Sequence, residues 1–126
     1  MSYGGTKILI VEDHDDFRRA VRKHIEKHGV STDVYEADSG EIGIGMAVRS
    51  NPDIVLMDIS LPGIDGLDAA RQIKSRLPKS KIIFLTMFEA ESFRETFQSD
   101  VASDYIGKSD LYEKLVPAIK RLLDIK

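Results

Sequence analysis

The chain has 126 residues, 18 Lys and Arg against 21 Asp and Glu, a net charge of −3 and no cysteine. A single domain of this size buries roughly two-thirds of the surface its unfolded chain exposes, so it needs no disulfide or structural zinc, and the lack of cysteine removes thiol nucleophiles and cysteine-ligated zinc. The acidic balance argues against broad non-specific nucleic-acid binding, and the longest apolar runs, residues 8–11 and 54–57, are far too short to cross a membrane.

Met1-Ser2-Tyr3-Gly4-Gly5 lacks the basic and apolar regions of a signal peptide. We expect residues 1–5 to form a flexible tail, residues 6–124 to form one cytoplasmic domain, and no output domain in this chain. Residues 7–11, KILIV, read as a strand bounded by Glu12 and Asp13. Phe17, Ala20, Val21, His24, Ile25 and His28 recur at spacings of three and four, which predicts a helix ended by Gly29. Residues 30–37 form a weak strand with Val34 and Tyr35. Asp38-Ser39-Gly40-Glu41 supplies caps for a second helix running to about Ser50. Its Gly43 and Gly45 each cost up to about 1 kcal/mol against Ala, making it the least secure element.

Residues 54–57, IVLM, are apolar at every position, as in a parallel strand buried on both faces, and the strand ends at Asp58. Pro62, Gly63 and Gly66 mark a loop into a helix with Leu67, Ala70, Ile73 and Leu77 inward, stopped by Pro78. Residues 82–85 form a fourth strand ending at Thr86. A short fourth helix around residues 91–99 carries Phe93 and Phe97, and a fifth strand near 104–107 ends at Lys108. Asp110 and Glu113 suggest a capping box for the last helix, whose stripe is Leu111, Leu115, Ile119 and Leu122. Pro117 predicts a kink within it.

Five strand–helix units predict an α/β fold: a single doubly wound (βα)5 domain with a five-stranded parallel sheet and helices on both faces. Ligands of such sheets bind outside the C-terminal strand ends, where Glu12, Asp13, Asp58, Thr86 and Lys108 fall. Three crowded carboxylates repel one another; magnesium, or manganese, relieves this with oxygen ligands and retained waters. Asp13 and Asp58 are the expected direct ligands, with the Ser60 backbone carbonyl, while Glu12 acts through a bound water. A metal beside one carboxylate, with an ammonium and a hydroxyl opposite, suits phosphoryl transfer. Asp58 would attack phosphorus to give an aspartyl phosphate; Lys108 would neutralise the phosphoryl oxygens and Thr86 donate a hydrogen bond to one.

The motifs ILIVEDHDDFR (8–18), PDIVLMDISLPGIDG (52–66), IIFLTMF (82–88) and SDYIGKSD (103–110) make the chain resemble a response-regulator receiver domain of two-component signalling, from about Thr6 to Leu123. The wording of HDDFR and LTMF leans toward the NarL/FixJ-type subfamily. The resemblance implies the flavodoxin-like strand order 2-1-3-4-5, with Asp58 as phosphoacceptor and Glu12, Asp13 and Ser60 around magnesium. It implies that Thr86 and Lys108 sense the phosphoryl group and that Tyr105 is the switch aromatic paired with Thr86. A histidine kinase or histidine phosphotransfer protein would be the donor, meeting the first helix around Phe17 and Arg18. A homodimer contact or downstream effector such as a transcriptional output would use the face of the fourth helix, fifth strand and last helix. Neither nucleic acid nor membrane is an expected partner of this domain.

Glu12 stands where many members carry Asp, Met87 where small residues are frequent, narrowing access to the phosphoryl group, and Ser109 where many have Pro, so no cis-proline is expected there. His14 is read as a cap or a neighbour of the acid pocket. His24 and His28 lie four apart without a third ligand, so packing and a helix-end charge are the plainer reading. Arg18, Arg19, Arg22, Lys23 and Lys27 read as a basic face, solvated in the plainer reading and part of a docking surface in the other. Two other functions fit less well. An aspartate-nucleophile phosphatase commonly has a second Asp two residues after its nucleophile, and here that residue is Ser60; a non-phosphorylated interaction module would leave the acids without a role. The switch is not expected to be an enzyme beyond slow autodephosphorylation.

Overall fold

The structure is a computed structural model that describes residues 6–30, 33–87 and 101–124. Along the chain run β1 (Lys7–Val11), α1 (Asp15–Lys27), β2 (Asp33–Ala37), α2 (Gly40–Ser50), β3 (Ile54–Asp58), α3 (Gly66–Arg76), β4 (Lys81–Thr86) and β5 (Asp104–Gly107). A 3₁₀ turn (Lys108–Asp110) then leads into the last helix, here α4 (Leu111–Leu122). The strands form one parallel sheet in the order β2-β1-β3-β4-β5, as expected. The short fourth helix expected around residues 91–99, with Phe93 and Phe97, lies outside the described residues.

Side chains alternate across a strand, and in this sheet both sides are apolar. Ile8, Ile10, Ile54, Leu56, Ile83, Leu85 and Ile106 pack with Val21 and Ile25 of α1 and with Leu111, Leu115 and Ile119 of α4. Leu9, Val11, Val55, Met57, Ile82 and Phe84 pack on the other side with Ala47 of α2 and Ala69, Ala70 and Ile73 of α3. That two-sided burial is why residues 54–57 carry no polar position, and why the central strands present polar side chains at their ends.

The predicted helix boundaries largely hold. Gly29 adopts φ +64 after α1, its N–H bonding Glu26 O at 3.1 Å. The Ser39 side chain accepts from the Ile42 N–H at 3.2 Å and caps α2. α3 stops at Arg76, two residues before Pro78. β2 begins at Asp33 rather than near Val30, although Val30 is fully buried. The capping box does not form: Asp110 makes no side-chain capping bond and instead stands 3.5 Å from Lys114 Nζ. The 3₁₀ turn delivers the chain into α4, so the local geometry of a capping residue is not available there. α4 runs without interruption through Pro117, which is exposed.

The basic stripe of α1 is only partly a solvated face. Arg18 Nε and Arg22 Nη1 each stand 2.9 Å from a different oxygen of Glu36 on β2. Arg18 also donates to Glu12 O at 2.8 Å and to Asp15 Oδ1 at 2.7 Å. These bonds tie the edge strand and the β1–α1 turn to one helix, so Arg18 is committed within the fold.

Candidate functional site

Parallel pairing brings four strand ends to one edge. Asp58, the last residue of β3, is in register with Leu85, so Thr86 lies one residue further along β4 and pairs with Gly107 of β5. Lys108 follows directly. On the other side of β3, Val11 is in register with Met57, placing Glu12 and Asp13 just past the end of β1. Glu12, Asp58 and Thr86 are all buried. A ligand atom from each of Glu12, Asp13, His14 and Asp58 lies within 4.8 Å of the others.

Lys108 Nζ is 2.7 Å from Glu12 Oε1 and 3.4 Å from Asp58 Oδ2, and it sits 5.0 Å above the centre of the Phe17 ring. One ammonium therefore answers two buried carboxylates. The Ser60 N–H donates to Asp58 Oδ1 at 3.1 Å. Glu12 Oε2 accepts from the His14 N–H at 3.1 Å and stands 3.1 Å from His14 Nδ1.

Burial raises the Asp58 carboxyl, and the charge of Glu12 raises it further. Lys108 and the Ser60 N–H pull the other way, leaving it at about 6. Burial also works to raise Glu12, but Lys108 and His14 outweigh it and hold that carboxyl below its ordinary value. Asp58 is thus the carboxylate that the protein alone satisfies least. Glu12 Oε1, Asp13 Oδ1 and Asp58 Oδ2 are buried with no directed hydrogen-bond donor; Lys108 offsets charge without supplying that geometry. Such orphaned oxygens on three acids fit a hard dication, as the sequence led us to expect.

The sequence matches the response regulator receiver domain family over residues 8–120. The chain belongs to that family. This receiver is 33% identical over 116 residues to the response regulator GacA of Pseudomonas aeruginosa, an alignment spanning 92% of this chain and 54% of that protein. It spans about half the length of the curated relatives it matches. Among solved structures, a LuxR-family two-component response regulator from Aurantimonas sp. SI85-9A1 superposes with a TM-score of 0.83 at 31% identity, covering 95% of this chain and 86% of that one. The response regulator TrrA of Thermotoga maritima, solved in complex with Mg2+–BeF, gives a TM-score of 0.82 at 30% identity, covering 93% of this receiver and 98% of that chain. Relatives of the LuxR/NarL type agree with the subfamily lean of the sequence.

The receiver brings together Glu12, Asp13, Asp58 and Lys108, with Thr86 on the adjoining strand end. Tyr105 is a residue of β5. It is buried, and its ring stacks on Phe84 with centroids 5.7 Å apart. Met87 is 74% exposed. No cis peptide occurs among the described residues, Lys108–Ser109 included. His14 enters the cluster more fully than the sequence suggested: it makes no side-chain capping bond, and its place directly after Asp13 was the available signal. His24 packs edge-on against His28 and Tyr112, at 4.6 and 4.9 Å between centroids, as packing rather than ligation requires. A groove of about 500 Å³ beside these rings, lined by Lys23, Lys27 and Ala20 as well, involves none of the acid-cluster residues.

Proposed function

We propose that this receiver is a magnesium-dependent phosphoacceptor switch in which Asp58 takes the phosphoryl group. The observation that carries the reading is the geometry of Asp58: buried, faced at 3.4 Å by Lys108 with two further acids alongside, and raised in pKa by that burial and by Glu12. Asp13, Asp58 and the Ser60 carbonyl would hold the ion directly, with Glu12 acting through water. Magnesium would supply charge neutralisation of the carboxylates and of the incoming phosphoryl oxygens. That Mg2+–BeF is present in the TrrA structure supports the assignment.

The donor would be a phosphohistidine on a histidine kinase or phosphotransfer protein. An Asp58 oxygen forms a bond to phosphorus as the N–P bond breaks, and the departing imidazole nitrogen takes up a proton. Lys108, now paired mainly with Glu12, would pair with a phosphoryl oxygen, and the Thr86 hydroxyl would donate to another. Tyr105 of β5 is in register with Phe84, two residues before Thr86 on the neighbouring β4. A shift of Thr86 toward the phosphoryl group would re-bias the Tyr105 ring and with it the fifth-strand surface, on which an effector or second copy would act. The receiver would work in the cytoplasm, coupled to a transcriptional output. Among the described residues no helix is long and apolar enough to cross a membrane.

The test is intact-mass measurement after incubation with a small acyl phosphate and magnesium. Wild type is expected to gain one phosphoryl group and Asp58→Asn none. No gain in wild type, or equal gain in the variant, would overturn the proposal.

A further inference from the structure

His14 occupies a position that helix formation does not explain. It is the N-cap of α1, where Ser, Thr, Asp or Asn would supply a capping oxygen, yet its side chain makes no capping bond. Nor is it core, because the side chain is 70% exposed. Its ring is turned back over the acids, with Nδ1 3.1 Å from Glu12 Oε2 and 3.5 Å from Asp13 Oδ1. The backbone N–H of the same residue bonds Glu12 Oε2, so main chain and ring together hold the imidazole at the mouth of the cluster.

We propose that His14 is a nitrogen ligand of the acid site, and that it makes this receiver a binding site for borderline transition dications such as Zn2+ as well as magnesium. This rests on the metal site of the proposed function and adds a ligand and a selectivity to it. Ligands about 2.0–2.2 Å from one zinc ion stand no more than about 4.4 Å apart. The ligand atoms of Asp13, His14 and Asp58 already lie within 4.8 Å of one another, so a few tenths of an ångström of closure would let them share an ion, with Glu12 acting through water as before. Asp58, a buried residue whose Oδ2 receives no hydrogen bond, provides the second, independent indication that a cation belongs there. Carboxylates alone suit magnesium and manganese, whereas an added imidazole suits zinc, nickel and iron. Adding one nitrogen to the two direct carboxylates therefore raises affinity for the latter group far more than for magnesium.

The three histidines of the chain, His14, His24 and His28, make the test direct. The full chain labelled with 15N-histidine is titrated with Zn2+ and, separately, with Mg2+, and ring-nitrogen resonances are followed by NMR. Zn2+ is expected to move a His14 ring nitrogen to a metal-bound position at one equivalent, with His24 and His28 unmoved. His14→Gln is expected to weaken Zn2+ binding about tenfold or more, the scale lost when even an outer partner of a metal ligand is removed. Mg2+ affinity should change much less. Zn2+ shifts at His24 and His28 instead, an unmoved His14 nitrogen as from a simple counterion, or equal Zn2+ affinity in His14→Gln would each overturn the inference. Phosphoryl uptake by wild type with magnesium is scored separately. Uptake without His14 ligation sinks this inference alone, and His14 ligation without uptake sinks only the proposed function.

Discussion

Gly66 is packed directly on the main-chain carbonyl of Asp58. A Cβ on Gly66 would overlap that oxygen and come within 2.9 Å of both the Asp58 carbonyl carbon and the Ile59 Cα. Every one of these neighbours is backbone, so none can rotate away. The Gly66 N–H also bonds Ile59 O at 3.2 Å, which seats the start of α3 against the end of β3. Gly66→Ala is expected to destabilise the domain by about 1–3 kcal/mol, the usual cost of overpacking, and to slow phosphoryl uptake by displacing Asp58. Urea unfolding and mass-detected uptake measure the two effects. Gly29→Ala is the control: at φ +64 with nothing within 4 Å of its Cβ, it should cost about 1 kcal/mol without slowing uptake.

Two glycines in α2 should respond with opposite signs. A Cβ on Gly43 would meet Val11 Cγ2 at 2.8 Å and Cγ1 at 3.1 Å, and Val11 is fully buried. Gly45 meets only the Arg49 side chain, at 3.5 Å. Gly45→Ala is therefore expected to stabilise by about 0.5–1 kcal/mol through helix propensity. Gly43→Ala should destabilise by about 1–3 kcal/mol because α2 must move off β1. Thermal unfolding of both variants decides the matter, and stabilisation by Gly43→Ala would contradict the packing argument.

That pair shows where sequence reading reaches its limit. Both glycines carry the same propensity penalty, and only the distance between α2 and Val11 separates a structural requirement from a cost. Residues 54–57 were legible because burial on both faces leaves a local pattern, and Asp58 and Lys108 because strand ends carry the polar residues of such a sheet. The clamp of Arg18 and Arg22 on Glu36 was not legible, since charge on a helix looks alike whether it faces water or a neighbouring strand. The Asp110 capping box failed for a related reason. Its spacing was right, but a 3₁₀ turn set the backbone. His14 was visible beside Asp13, yet only the fold turns its ring toward the acids rather than along the helix.

The clamp itself should confer acid sensitivity. Burial works to raise Glu36, but hydrogen bonds from Arg22 and Arg18 outweigh it, so its folded pKa lies below the ordinary 4.5. A depressed carboxyl contributes stability above its unfolded pKa and loses it as pH falls through the folded value. Glu36→Gln is expected to cost about 1–2 kcal/mol at pH 7, the range for hydrogen bonds to charged groups with part-exposed partners. That difference from wild type should shrink below about pH 4. Chemical denaturation of the two proteins between pH 3 and pH 7 tests it, and a pH-independent difference would count against the ion pair.

Asp58 should show the reverse dependence. Its folded carboxyl is raised from 3.8 to about 6 by burial and by the charge of Glu12. Between those values the folded state binds more protons than the unfolded state, so this group's contribution to stability falls as pH rises through the window, and above it the ionised carboxylate is a standing cost. In chelator-treated protein, Asp58→Asn removes that charge, and the amide oxygen can still accept the Ser60 N–H. The variant is expected to be more stable than wild type by on the order of 1–3 kcal/mol at pH 7.5, with the gap closing toward pH 4. Saturating magnesium should narrow the gap at pH 7.5, because an ion that binds the folded acids stabilises wild type more than a variant lacking one ligand. Urea unfolding with chelator and with magnesium, at both pH values, gives the four comparisons. A destabilised Asp58→Asn in chelator at pH 7.5 would mean that Lys108 satisfies Asp58 fully, and that burying the Asp58 charge carries no net cost.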